Sequence, residues 1–175
     1  VRMKEKMFLS PRFYGAFFIM KSSTKKIVLT AMFVALSFVA AYFIHFPVVP
    51  AAPFLKYDPK DVIITLCGFL LGPIPCLIVS VLTPLLEFFA RNDSGIIGLT
   101  MNVVAAISFT LPATLFYRKT KDVKGAIVGL IFGTIIMTVF MLFWNYVLTP
   151  LYTNMDRSEV IKLFLPALIP FNLIK

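Results

Sequence analysis

Charge is what this chain has least of. Only 14% of its 175 residues are charged, against about 25% in an ordinary soluble domain. A water-soluble fold of this length must cover itself with polar side chains, and 59% hydrophobic residues leave too few of them. A cytosolic enzyme, a disordered chain and a secreted disulfide scaffold are excluded on that ground. Histidine is down to a single residue, His45, and no zinc-binding spacing accompanies it. It falls at the end of the first apolar run and reads as an interfacial residue. The two cysteines, Cys67 and Cys76, lie inside apolar stretches without a Cys-x-x-Cys spacing. They read as small buried hydrophobes. A Gly-x-x-x-x-Gly-Lys phosphate loop is missing, which excludes ATP hydrolysis by that route. No paired carboxylates or metal-ligand set point to an intramembrane enzyme.

What is present is apolar sequence in long runs, with a mean hydropathy of +0.92. A membrane-spanning helix needs about 20 mostly apolar residues. The runs predict spans over 27–46, from just after Asp61 to 71, over 73–90, 96–117 and 126–147. The second is short for a full crossing and is expected to tilt or to be shielded by its neighbours. Gly72-Pro73-Ile74-Pro75 leaves room only for a tight hairpin between the second and third. A sixth span begins after Glu159 and is still under way at Lys175, so the last helix reads as truncated. The expected fold is therefore an all-α integral membrane bundle of six transmembrane helices. Residues 1–20 form an N-terminal extension, apolar over 7–20 but broken by Pro11 and Arg12, and lack the small-residue cleavage site of a signal peptide.

Basic residues outnumber acidic ones, 17 to 8. They cluster between the apolar runs, which suits topology and anionic lipid rather than nucleic acid. Residues 1–26 and 118–124 hold eleven Lys and Arg; the loops on the other side hold five, Lys56, Lys60, Arg91, Arg157 and Lys162. The positive-inside rule then predicts a cytoplasmic N-terminus. Asp58 and Asp61 flank the start of the second span, and Asp61 is placed to cap it.

Polar side chains inside the bilayer are costly, so each is a functional candidate. Glu87 sits near the outer end of span three, Asn102 two turns into span four, and Asn145 near the outer end of span five. Asn172 and Lys175 open span six. All five are expected in the outer half of the membrane, on four different helices. One carboxylate, several amides and an ammonium offer both donors and acceptors. Walled by a chain with 19 Phe, that set describes a pocket for an uncharged polyol or heterocycle. The plainer role is helix-to-helix glue. Ala31 and Ala35, spaced i, i+4, share one face of span one and allow a second helix to approach closely.

Several of these stretches resemble a known family. Phe54-Leu55-Lys56-Tyr57-Asp58-Pro59-Lys60-Asp61, then Gly68-Phe69-Leu70-Leu71-Gly72-Pro73, are similar to the S components of energy-coupling factor (ECF) vitamin transporters, in particular the riboflavin-specific ones. Glu87-Phe88-Phe89, Asn145-Tyr146, Thr149-Pro150-Leu151-Tyr152 and Pro170-Phe171-Asn172-Leu173-Ile174-Lys175 agree, and Ala31/Ala35 matches the family's Ala-x-x-x-Ala. The resemblance covers residues 21–175, one membrane-embedded substrate-binding domain. It implies a six-helix protein that binds one vitamin in an outward-facing pocket and topples in the bilayer to deliver it. The implied partners are a membrane T component (EcfT) and two cytoplasmic ATPases (EcfA and EcfA'), in the cytoplasmic membrane. Riboflavin is then a transported ligand rather than a cofactor, and flavin mononucleotide is not expected to be favoured. The implied ligand contacts are Glu87, Asn145, Asn172 and Lys175, with Asn102 and the loop residues Phe54, Leu55 and Lys56 beside them. Ala31 and Ala35 are the implied partner contact. An S component for another vitamin, such as thiamine or pantothenate, is the alternative. The family's last helix continues past the lysine, and here it does not.

Overall fold

Long apolar runs interrupted by Gly, Pro and charge leave the chain little choice but helices joined by short turns. The computed structural model describes residues 23–47, 56–91 and 95–153. Five helices follow in order: α1 (Ser23–Phe43), α2 (Lys60–Leu71), α3 (Pro73–Arg91), α4 (Gly95–Thr120) and α5 (Val123–Thr153). Between α1 and α2 a small antiparallel pair, β1 (Phe46–Pro47) and β2 (Lys56–Tyr57), sets Phe46 opposite Tyr57 and Pro47 opposite Lys56. The five spans expected from the sequence through residue 147 are all present. The sixth lies outside the described residues.

α1, α3, α4 and α5 are long and apolar enough to cross a membrane. α2, at 12 residues, reaches only about 18 Å at 1.5 Å per residue, against a hydrocarbon core about 30 Å thick. Its neighbours shield it: α1, α3 and α4 all pack on it, and Ile64, Cys67 and Gly68 are buried. By contrast Met32 and Leu36 on α1, Ile74 on α3, and Ile135 and Phe143 on α5 are exposed. In lipid such faces are the solvated ones.

The α2–α3 link is a single residue. Gly72 takes φ +102, a left-handed value that glycine adopts without penalty. Its amide donates to the Gly68 carbonyl at 2.9 Å, and the Cys76 amide donates to the Gly72 carbonyl at 3.2 Å. Pro73 opens α3 where a missing N–H is harmless. This end of the bundle, with the Gly72 turn, is the turn end; the end with β1 and β2 is the hairpin end.

α3 and α4 run antiparallel along a buried seam of small polar side chains. The Cys76 thiol donates to Thr110 Oγ1 at 3.3 Å, Thr114 Oγ1 donates to Cys76 Sγ at 3.6 Å, and the Ser80 and Thr110 hydroxyls lie 3.2 Å apart. Both cysteines are free and buried. α5 approaches α4 more closely still. A Cβ at Gly129 would come within 2.9 Å of the Ala113 carbonyl oxygen, and one at Gly133 would collide with that of Phe109. Glycines spaced by four along α5 thus let the two backbones touch, which is how helices associate in lipid.

The cap of α2 differs from expectation. Pro59 is the N-cap, and Asp58, not Asp61, receives the backbone N–H of Lys60, at 3.2 Å. Asp61 is instead buried inside the first turn. An Asp two residues before a helix can fold back onto its first amide, whereas one already inside the turn cannot serve as the N-cap.

Candidate functional site

The site begins with a lysine in an unexpected place. Lys60, the first residue of α2, is 1% exposed. Its Nζ lies 2.8 Å from Glu87 Oε2 on α3 and 3.1 Å from Asp58 Oδ2 on the loop after β2. Lys60 sits at the loop boundary, before the apolar stretch of α2. Its buried head is compensated directly by the two carboxylates. Lys60 lies at the same end as Lys56 and Arg91, the grouping used in the charge count, but its head is turned inward, and a buried ammonium is tolerated where carboxylates compensate it. The same contacts gather two carboxylates, Asp58 and Glu87, around one cation, a grouping that spacing alone did not suggest.

Glu87 lies four residues before the end of α3. The seam contacts give its level against α4, since each step outward on α3 is a step back on α4. Cys76 meets Thr110 and Thr114, and Ser80 meets Thr110, so Glu87 falls at the level of the N-terminal turns of α4, the part that carries Asn102. Gly133 meets Phe109 and Gly129 meets Ala113, which sets Asn145 beside residue 97. Asn145 is therefore about 8 Å nearer the hairpin end than Asn102, at 1.5 Å per residue. All three lie in the hairpin-end half of the bundle. Among the described residues α3 and α5 each pack on α4 and not directly on one another.

Asn145 is buried, and its Nδ2 donates to the Met141 carbonyl at 2.8 Å. Beside it is Trp144, the only tryptophan of the chain, whose Nε1 is buried with no hydrogen-bond partner among the described residues. The hydroxyls of Ser37 on α1 and Thr83 on α3 are in the same state. Arg91 donates to the Ala41 carbonyl at 3.4 Å and lies over the Tyr42 ring. That contact aligns the hairpin ends of α1 and α3 and sets Ser37 at about the level of Glu87. Buried donors of this kind are normally satisfied. His45 is hydrogen-bonded, its Nδ1 donating to the Tyr42 carbonyl at 3.1 Å.

Among the remaining sequence candidates, Lys56 enters through its backbone, paired with Pro47 in the small sheet. Phe54, Leu55, Asn172 and Lys175 lie outside the described residues. Ala31 and Ala35 are both exposed on α1. Ala31 lines a concavity of about 460 Å³ at the turn end, together with Val34, Ile78, Leu82, Lys26 and Arg118. Lys60 and Trp144 were missed by sequence reasoning. The available signal was a lysine between two aspartates at the start of a span too short to carry it clear, and a lone indole next to Asn145.

Apolar helices that enclose ion-paired and amide side chains near one end define a multi-pass membrane protein with an internal polar site. More narrowly, the chain belongs to the ECF transporter substrate-specific component family, whose model matches residues 25–175. It is 33% identical to the riboflavin transporter RibU of Streptococcus thermophilus, over 88% of this chain and 77% of that one. With RibU of Staphylococcus aureus it shares 35%, over 86% and 82%. With the riboflavin transporter FmnP of Bacillus subtilis it shares 29%, over 86% and 84%. A solved S component of a bacterial ECF transporter superposes with a TM-score of 0.75 at 35% identity, covering 88% of both chains.

Proposed function

We propose that this chain binds riboflavin and delivers it across the cytoplasmic membrane as the substrate-specific component of an ECF importer. The observation that carries the reading is the Lys60–Glu87 pair held at the hairpin end of an apolar bundle, in a chain whose relatives are named riboflavin transporters. An isoalloxazine ring stacks on aromatic and aliphatic walls. The ribityl chain is an uncharged polyol that asks for donors and acceptors together. Glu87, Asn102 and Asn145 supply them, with Asn172, Lys175, Phe54, Leu55 and Lys56 completing the contacts. Residues 21–175 form the binding domain. The positive-inside count sets the N-terminus in the cytoplasm and the hairpin end outside. The exposed α1 face with Ala31 and Ala35 meets the T component EcfT, which links to the ATPases EcfA and EcfA'.

A flavin-fluorescence titration on the purified protein tests this. Stacked flavin is quenched, and saturable quenching at one riboflavin per chain is the expected result. Colourless protein that leaves riboflavin emission unchanged rejects the reading.

A further inference from the structure

We propose that Lys60 is the positioning residue of this site: gripped by Asp58, it balances the buried charge of Glu87 and fixes that carboxylate in one orientation for the ligand. The inference rests on the reading above, in which Glu87 receives the flavin.

Loop lysines ordinarily extend their heads into water. Lys60 does not; its side chain is 1% exposed. Its two partners come from separate parts of the chain, Asp58 two residues back and Glu87 27 residues on. Asp58 holds the lysine at both ends: one carboxylate oxygen accepts the Lys60 backbone N–H at 3.2 Å, and the other meets Nζ at 3.1 Å. A lysine fixed at backbone and head has little rotamer freedom left, so the carboxylate it contacts is fixed with it. The 2.8 Å contact to Glu87 Oε2 is a charge-assisted hydrogen bond, short and strong. An ionised carboxylate only accepts hydrogen bonds, and an aimed acceptor suits the hydroxyl donors of a polyol. Lys60 thus acts through Glu87. The order of action is Asp58 on Lys60, and Lys60 on Glu87.

The test is the same quenching titration, run on the purified full chain and its variants. Lys60→Met leaves a buried carboxylate uncompensated and is expected to weaken riboflavin binding about thirtyfold. Lys60→Arg keeps the charge and is expected to hold affinity within about threefold of wild type. In a Glu87→Gln background Lys60→Met is expected to change affinity by less than about twofold, because the group it acts through is already neutral. Unchanged binding by Lys60→Met overturns the proposal. So does an equal loss with and without the Glu87 carboxylate, which is what general damage to the fold produces, and so does failure of Lys60→Arg to recover binding. If Lys60→Met does not fold, Asp58→Asn decides: weaker binding supports the relay, and wild-type affinity overturns it. Wild-type protein that does not quench riboflavin removes the ligand reading itself. Wild-type protein that binds beside unaffected Lys60 variants removes only the positioning role.

Discussion

A glutamate inside an apolar helix is conspicuous in sequence because the bilayer penalises it, and the same penalty makes it informative. Glu87 and Asn145 could be singled out for that reason without any structure. Lys60 is far less visible. A lysine beside a membrane span is the usual case, and its flanking Asp58 and Asp61 are only a faint local sign that this one turns inward. Its role appears only when α2 and α3 bring residues 60 and 87 together at 2.8 Å. At this scale the expected outcome is that Glu87→Gln and Asn145→Ala each weaken riboflavin binding by about 1–3 kcal/mol, since each removes a hydrogen-bonding group from a buried site. The quenching titration measures both. Wild-type affinity in the two variants would return Asn145 to its plainer role, an amide bonded to the Met141 carbonyl of its own helix.

Helices are where sequence and structure agree best. Each span prediction through residue 147 lies within a few residues of an observed helix, because the 20-residue apolar requirement is local. The Gly72 turn was equally legible, since Gly followed by Pro ends one helix and starts the next. The α4–α5 contact was not. Gly129 and Gly133 look like unremarkable glycines in an apolar run until the Ala113 and Phe109 carbonyls are found against them. Gly133→Leu is expected to push the two helices apart and destabilise the protein by about 1–3 kcal/mol, as other overpacked sites do. Thermal unfolding of the purified protein in detergent reads this directly; an unchanged melting temperature means that α5 is not held by that contact. α2 carries a related lesson. Its shortness was visible in sequence, but its tolerance comes from the three helices packed on it.

Over the whole molecule, Ala31 lines the concavity at the turn end while the Lys60–Glu87 pair lies toward the hairpin end. Ligand binding and partner coupling are therefore expected to be separable. Ala31→Trp or Ala35→Trp adds bulk to the exposed face of α1. Each is expected to leave riboflavin quenching as in wild type while abolishing ATP-driven uptake by the assembled importer. Flavin uptake into vesicles carrying the full complex checks this; sustained uptake with an intact complex places the coupling surface elsewhere.

By itself the sequence determined the solvent of this protein, the number and limits of the spans over residues 27–147, and which side chains are too polar for their surroundings. Each of these depends on the cost of placing a short stretch of chain in hydrocarbon, and that cost is written in neighbouring residues. Only the tertiary structure decided that Lys60 pairs with Glu87, that α3 and α5 each pack on α4, and that glycines seat α5 there. Those contacts join residues far apart in the chain, and their energy arises from geometry and charge across helices, which no local pattern carries.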